Sequence, residues 1–418
     1  MNHKKVLILI LILALFFRIV YSIPAVVPIF EKPDEKQHFE YIELLYDTKK
    51  LHVVQPGERG EAFHPPLFHT FAALILGVVK MFSQNLEVQV FSIRLLSVIV
   101  SMFTLYFVYK IASLLFQDKT FVLGVVTFAS FLPTFINWNT SVTNASLAHL
   151  FSTIIIYLLL IILSRGENNK ILMLLGIITA ASLLTRISTF STILTIPLAF
   201  LIRYYSNIKK MIKPMTIIAL IVLVLSGWYL IRNFILYGDF LGVNALRIAH
   251  TPYEAQISLL FFIRLVGWSF LNFWAAFGVY NQIFIGNLTS ISGIIVFLAT
   301  FIFFAIITII SLFGLYRLFK RYLKNRSILN DFQKKAFLLF IFQIFVIGSS
   351  ILSYNLFQDF QPHGKLFYPA IAAISIFFTL GFYNFVKKIY REKFLHFYIA
   401  SFVVLNIISI ISIAYHLA

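Results

Sequence analysis

The sequence predicts an all-α, polytopic membrane protein, and its composition, its apolar runs and its charge distribution each indicate this fold class. The chain has 418 residues, of which 60% are hydrophobic and 12% charged. A soluble domain has about a quarter of its residues charged, so the composition excludes a water-soluble enzyme. The absence of cysteine excludes a disulfide scaffold and a Cys-ligated zinc or iron–sulfur site.

Apolar runs of about 20 residues, the length that crosses a bilayer, recur along the whole chain. We expect about eleven transmembrane helices, within a range of roughly ten to thirteen. The runs lie near residues 6–29, 90–116, 119–137, 145–164, 170–185, 187–203, 214–236, 288–316, 336–354, 366–386 and 395–417. The first run has no signal-peptide cleavage pattern and is expected to remain as a membrane anchor.

Lysine and arginine give the chain a net charge of +18, and they collect between particular apolar runs. The main clusters fall near residues 4–5, 203–213, 317–335 and 387–393. The positive-inside rule places all of them in the cytoplasm, together with the N-terminus. This orientation requires that residues 64–82 and 257–285 do not cross but lie at the outer face as interfacial or re-entrant segments. We therefore expect one polytopic domain, residues 1–418, in the plasma membrane among membrane lipids, and no nucleic-acid partner.

The first extracytoplasmic loop, residues 30–64, carries half of the acidic residues. Eight of the 16 lie there, namely Glu31, Asp34, Glu35, Glu40, Glu43, Asp47, Glu58 and Glu61. The adjacent carboxylates of Asp34 and Glu35 could supply a general base and an orienting group. His38 lies one helical turn beyond Asp34, so Asp34, Glu35 and His38 could also hold a divalent metal ion, the one cofactor considered. The alternative is an amphipathic helix whose charges face water.

Three arginines lie inside or at the edge of apolar runs, where a charged side chain is costly. They are Arg94, Arg186 and Arg232, and Lys365 is expected at a similar depth. Guanidinium groups match phosphate oxygens, so the four cations predict a shared anionic ligand such as a lipid phosphate. The alternative is that each side chain snorkels to the interface or pairs with a carboxylate.

Further polar side chains on the outer segments are candidates for substrate binding. They are His38, His64, Asn139, Asn144, Asp239, His363 and Tyr368. The chain contains no phosphate-binding P-loop and no dinucleotide-binding glycine motif, so a nucleotide sugar is not the expected donor.

Several short motifs follow one another along the chain. They are Pro33-Asp34-Glu35…His38, His64-Pro65-Pro66-Leu67, Leu132-Pro133…Asn144, Leu184-Thr185-Arg186, Trp228-Tyr229…Arg232-Asn233…Tyr237-Gly238-Asp239 and Gly364-Lys365…Tyr368-Pro369. In this order they resemble the motifs of the GT-C superfamily of membrane glycosyltransferases. The pattern is similar to the protein mannosyltransferase and aminoarabinose transferase branch, and to an uncharacterised prokaryotic family beside it. Two positions depart from the pattern, because Ala145-Ser146 stands where an Asp is usual and Lys365 where an Arg is commoner.

The resemblance implies a transferase that moves a sugar from a polyprenyl-phosphate donor to a hydroxyl of a lipid, glycan or protein acceptor at the extracytoplasmic face. Asp34 would be the base and Glu35 a second candidate, while the cations would hold the leaving phosphate. An in-line attack would invert the anomeric carbon. Two alternatives from other classes are a flippase or transporter of lipid-linked sugars, and a non-catalytic scaffold. The sequence shows no inverted repeat of the kind common in transporters.

Overall fold

The computed structural model describes residues 2–58, 60–249, 255–277, 283–284 and 291–417. Almost all regular structure in these residues is helical, as the sequence predicts. The one sheet that they contain is an antiparallel pair of two-residue strands, β1 (Ala276–Phe277) and β2 (Ile283–Phe284). The rest of the predicted segment 257–285 that is not in these ranges lies outside the described residues.

Seventeen α-helices follow one another along the described part of the chain. They are α1 (His3–Ser22), α2 (Glu35–Thr48), α3 (Leu67–Lys80), α4 (Leu86–Leu115), α5 (Lys119–Phe131), α6 (Pro133–Trp138), α7 (Ala145–Arg165), α8 (Asn169–Leu183), α9 (Phe190–Ile193), α10 (Thr195–Arg203), α11 (Ile212–Tyr237), α12 (Val243–Ala249), α13 (Leu259–Trp274), α14 (Ile291–Lys324), α15 (Asp331–Phe357), α16 (Ile371–Phe385) and α17 (Arg391–Leu417). A seven-residue 3-10 turn, Gly364–Ala370, precedes α16.

Eight helical segments in the described residues are long and apolar enough to cross a bilayer, which makes this a multi-pass membrane protein. They contain α1, α4, α7, α11, α14, α15, α16 and α17. Five shorter apolar segments are Leu67–Lys80, Lys119–Phe131, Asn169–Leu183, Ile187–Arg203 and Leu259–Trp274. Three of these coincide with predicted spans, and the other two with the stretches expected to stay at the outer face. The number of eleven crossings therefore stays a prediction.

Two predicted spans end earlier in the structure than in the sequence analysis, and proline is the reason in both. Helix α1 ends at Ser22 rather than near residue 29, because Ile23 before Pro24 is extended, with φ −69° and ψ 125°. Helix α5 ends at Phe131 rather than at 137, because Leu132 before Pro133 is extended as well. A residue that precedes proline is sterically kept out of the helical region.

Helix ends from distant parts of the chain meet at two opposite ends of the bundle. At one end, Arg391 lies 3.8 Å from Asp118 and Gln333 donates to the carbonyl of Leu115 at 3.0 Å. This end gathers the basic segments predicted to be cytoplasmic. The loops that follow α1, α5, α8 and α15 meet at the other end, which carries the residues described below.

The packing of the central helices fixes how these loops are held. Helices α7 and α16 are largely enclosed by their neighbours, whereas α14 is exposed along most of its length. The backbones of α14 and α16 touch, since a Cβ added at Gly381 would lie 2.1 Å from the carbonyl oxygen of Ser311. Small residues permit such close contact between membrane helices.

Candidate active site

The carboxylate of Asp34 lies at the start of α2, beside cations from two remote segments. Nζ of Lys365 is 4.0 Å from Oδ2 of Asp34, and the charges of Glu61, Arg186 and His64 also act on this carboxylate. Asp34 itself has φ +60°, a left-handed conformation that is uncommon outside glycine but tolerated best by Asp and Asn. The loop, the end of α8 and the turn before α16 thus converge on one acidic group.

The side chain of Asp34 combines solvent access with a largely enclosed setting. It keeps 48% of its surface exposed, although its neighbour Lys365 is 4% exposed. Burial raises the pKa of Asp34, Lys365 lowers it, Glu61 raises it, and Arg186 and His64 lower it, with a net shift upward. An accessible carboxylate with a raised pKa has the properties of a general base.

Glu35, next in sequence, has a different environment because it is fully buried against Arg94. Nε and Nη2 of Arg94 donate to its two oxygens at 2.9 and 2.6 Å, and the backbone N–H of Val142 donates at 3.0 Å. Burial raises the pKa of Glu35, but the charge and hydrogen bonds of Arg94 outweigh it and leave the pKa below its usual value. Both oxygens of Glu35 are therefore already hydrogen-bonded.

Arg94 uses all five of its N–H donors on this contact and on backbone. Besides the two bonds to Glu35, it donates to the carbonyls of Ser22, Val27 and Pro28 at 3.1, 2.7 and 3.0 Å. A guanidinium has five donors, so none is left for a phosphate. The pair fastens the segment between α1 and α2 to α4.

A second buried contact holds the segment on the other side of Asp34. Nζ of Lys32 donates to the carbonyl and the hydroxyl of Thr140 at 2.7 and 2.8 Å, and the residue is fully buried. Burial and the nearby Arg94 lower the pKa of Lys32 well below its usual value. Asp34 is thus bracketed by anchored neighbours at positions 32 and 35.

Arg186 and Lys365 are the predicted phosphate-binding cations that the structure brings to Asp34. Nη1 of Arg186 donates to Oδ1 of Asn144 at 3.3 Å, which is the one hydrogen bond that its side chain makes to the residues described. Asn144 is held in turn by the carbonyl of Thr185, to which its Nδ2 donates at 3.0 Å. The ammonium of Lys365 lies 3.5 Å from the ring centre of Trp138, a favourable cation–π contact.

Arg232 lies elsewhere and is engaged with the loop backbone. Its Nη2 donates to the carbonyl of His52 at 2.6 Å. Arg232 acts on Tyr41 and Tyr229 and is not among the charges that act on Asp34. Its position suits a role in holding residues 51–52.

The other predicted substrate-binding residues have mostly structural contacts. Oδ1 of the buried Asn139 accepts a hydrogen bond from Nδ1 of His149 at 2.9 Å, and Tyr368 donates to the carbonyl of Phe273 at 2.6 Å. Asp239 accepts from the backbone N–H groups of Val243 and Asn244 at the start of α12. His363 differs, because its buried Nδ1 has no partner within the described part of the chain. Burial lowers its pKa to about 3.

The rings of three histidines, His38, His64 and His69, stack on one another near Asp34. Nδ1 of His38 lies 2.9 Å from Nε2 of His69, and the rings of His38 and His64 are stacked at 5.4 Å. His64 pairs through Nε2 with Glu61 at 2.9 Å. Burial and the neighbouring His69 and His64 lower the pKa of His38 well below its usual value.

The residues that could hold a metal ion are a different set from the predicted Asp34, Glu35 and His38. Among the described residues, ligand atoms of His38, Glu61 and His64 lie within 4.8 Å of one another. Imidazole nitrogens with a carboxylate are a donor set that zinc and other divalent transition metals accept. Glu35 cannot contribute, since Arg94 and backbone N–H groups occupy both of its oxygens.

Glu61 and Trp138 also belong to this site, although neither is among the residues predicted from the sequence to bind substrate, phosphate or metal. For Glu61 a signal existed, because it precedes His64 by three residues in the same loop. For Trp138 there was none, since only the fold brings this residue under Lys365.

Part of the chain matches a known family. Residues 63–230 match the family described as dolichyl-phosphate-mannose-protein mannosyltransferase. The matched stretch includes His64, Arg94, Asn144 and Arg186, and Asp34 and Lys365 lie outside it. No curated protein is significantly similar to the sequence as a whole.

Solved structures share the fold over nearly the whole chain. The apo oligosaccharyltransferase of Archaeoglobus fulgidus superposes with a TM-score of 0.59 at 12% identity, over 99% of this chain and 56% of that chain. Its complex with an inhibitory peptide and a dolichol-phosphate gives 0.57 at 13%, over 99% and 55%, and its complex with Zn and sulfate gives 0.52 at 13%, over 96% and 52%. This chain thus spans little more than half the length of these proteins, and the likeness establishes the fold. The predicted resemblance to GT-C membrane glycosyltransferases is confirmed.

Proposed function

We propose that this protein is a GT-C-type glycosyltransferase that moves a sugar from a polyprenyl-phosphate donor to an acceptor hydroxyl at the extracytoplasmic face of the plasma membrane. One observation carries the proposal. The half-exposed carboxylate of Asp34 lies 4.0 Å from the buried ammonium of Lys365, and Arg186 acts electrostatically on the same carboxylate. A base and an anion-binding group therefore stand side by side.

Asp34 serves as the base. It accepts the proton of the acceptor hydroxyl, whose oxygen bonds to the anomeric carbon while the bond from that carbon to the phosphate oxygen breaks. The electron pair leaves with the carrier phosphate. A single displacement of this kind, with an oxocarbenium-like transition state, inverts the anomeric configuration. The raised pKa of Asp34 makes it a stronger base than an ordinary aspartate.

Lys365 and Arg186 hold the leaving phosphate. Both are positioned before substrate arrives, Lys365 by Trp138 and Arg186 by Asn144. Positive charge fixed where negative charge develops lowers the barrier without reorganisation. Phosphate binding also relieves the attraction between these cations and Asp34, which frees the carboxylate for proton transfer.

Seven predicted site residues take supporting roles in this proposal. Glu35 and Arg94 fix the segment that carries Asp34, in place of the base and phosphate roles expected from the sequence. Arg232 fixes residues 51–52, and Asp239 begins α12. His363, Asn139 and Tyr368 line or support the same end of the bundle.

His38, Glu61 and His64 would hold a divalent cation if the reaction uses one. The ion would add positive charge near the donor phosphate. No proton transfer or bond change assigned above to Asp34, Lys365 or Arg186 passes through it.

The comparisons support a lipid-linked donor. One similar oligosaccharyltransferase structure contains a dolichol-phosphate, and the matching family is described by dolichyl-phosphate-mannose. A lipid, glycan or protein acceptor fits a site that is open on the loop side.

A donor panel tests the proposal. The purified full-length protein in proteoliposomes is incubated with polyprenyl-phosphate-linked sugars, and free carrier phosphate is measured. We expect release from at least one donor, reduced at least about tenfold by Arg186→Gln, since a charged hydrogen bond contributes roughly 1.5–3 kcal/mol. Arg264→Gln, on the exposed face of α13, is the matched control.

Two outcomes would overturn the proposal. Transbilayer movement of intact donor without carrier release would indicate a transporter. A folded protein that releases carrier from no donor in the panel would indicate a non-catalytic scaffold.

A further inference from the structure

A second fully buried guanidinium, Arg18 of α1, lies apart from the Asp34 site. Its Nε donates to the hydroxyl of Ser101 at 2.8 Å, and its Nη1 donates to the carbonyls of Ala14 and Ser130 at 3.1 and 2.9 Å. Its Nη2 is buried and has no hydrogen-bond partner in the part of the chain that the structure describes. Arg18 is thus packed between α1, α4 and α5 with donors unused.

Arg18 also lacks a counter-charge. Every hydrogen-bond partner of its side chain is neutral, and no carboxylate of the described residues lies within ion-pair distance of it. Arg94 on the adjoining helix shows the usual solution, a bidentate bond to Glu35. A buried and uncompensated charge is strongly destabilising, so a compensating anion is expected near Arg18.

A second buried polar group close to Arg18 also lacks a partner among the described residues. The hydroxyl of Ser130 is buried and without a partner in the described residues, while the carbonyl of the same residue binds Arg18. Ser97, Ser101 and Thr104 follow one face of α4, so a polar stripe runs past Arg18 through an otherwise apolar bundle. An N–H and an O–H that both lack an acceptor are suited to an anion.

We propose that Arg18 binds a small monovalent anion, in cells chloride, between its Nη2 and the Ser130 hydroxyl. A lipid phosphate is too large, because Arg18 has no exposed surface through which a headgroup could reach it. Water would satisfy the hydrogen bonds but leave the charge uncompensated. The bound anion neutralises the guanidinium and stabilises the packing of α1 against α4 and α5. The proposal is independent of the transferase activity.

Thermal unfolding of the purified full-length protein tests this site. At equal ionic strength, we expect a Tm higher in sodium chloride than in sodium gluconate by about 3 °C or more, since a ligand that binds only the folded state stabilises it. Arg18→Met, which removes the charge and keeps a similar length, should abolish the difference between the salts. Arg264→Met, an exposed arginine, should retain it.

Bromide gives a second measurement that does not depend on a variant folding. Crystals of the wild-type protein grown in bromide should show an anomalous peak beside Nη2 of Arg18. Equal Tm values in the two salts together with only water at this position would overturn the proposal. A stabilisation that requires anionic lipid instead of chloride would overturn it as well.

Discussion

At the scale of single residues, Asp34 and Glu35 show how adjacent carboxylates acquire different chemistry. Glu35 is buried, bidentate to Arg94 and kept ionised. Asp34 is half exposed, without a bidentate partner, and its pKa is raised. Carboxylates whose environments separate their pKa values are the ones that divide catalytic tasks. Here the division is between a base and an anchor.

The pH dependence of turnover provides a residue-scale prediction. Asp34 must be ionised to act as the base, so the rate should fall as the pH falls through its pKa. Lys365 lowers that pKa and Glu61 raises it. Lys365→Met should therefore move the acid limb of kcat/KM to higher pH, and Glu61→Gln should move it to lower pH. A limb that stays in place in both variants would contradict the assignment of the base.

Several site residues could be predicted from the sequence because charged residues are rare in this apolar chain and costly within its apolar runs. Asp34, Arg186 and Lys365 could be selected in this way, and the structure brings them together. The sequence could not separate Arg186 from Arg94, since the difference is the partner that each finds in three dimensions. The side chain of Arg94 bonds to Glu35 and to three backbone carbonyls, whereas the side chain of Arg186 bonds to the amide of Asn144.

At the scale of helices, apolar runs predicted the elements, and local steric effects set their ends. Pro24 and Pro133 terminate α1 and α5 earlier than the hydrophobic pattern suggests, because hydropathy does not register backbone conformation. The loop that carries Asp34 follows the end of α1, and the segment that carries Asn139 follows the end of α5. Which of the shorter apolar helices cross the bilayer depends on tilt and neighbours, and hydropathy carries no information on either.

The contact between α14 and α16 provides an element-scale prediction. Gly381→Ala would place a methyl group 2.1 Å from a carbonyl oxygen of the facing helix, so the helices must separate. We expect the free energy of unfolding to fall by about 1–3 kcal/mol, which is typical of overpacking, and the Tm to fall with it.

The matched control for this variant is Gly227→Ala in α11, where an added Cβ meets no atom within 4 Å. It should be neutral or stabilising by up to about 1 kcal/mol, because alanine favours helix. Equal destabilisation by both variants would count against the close helix contact.

At the scale of the whole molecule, the two ends of the bundle divide the charges. Basic segments gather at one end, and the acidic loop with Asp34 lies at the other. The positive-inside rule predicts that the basic end lies in the cytoplasm and the Asp34 end outside.

Cysteine labelling provides a prediction at this scale, because the natural chain has no cysteine to remove. Lys36→Cys near Asp34 and Lys324→Cys at the basic end both replace exposed lysines. A membrane-impermeant maleimide should label position 36 in intact cells and position 324 only after permeabilisation. The reverse pattern would invert the proposed orientation.

The most direct test of the account is the effect of Asp34→Asn on sugar transfer. With a donor that supports turnover, the rate should fall at least about 100-fold, as expected when a general base is lost. Binding of polyprenyl phosphate should remain, and Glu40→Gln on the exposed face of α2 should transfer at the wild-type rate. Near wild-type transfer by a folded Asp34→Asn protein would contradict the account.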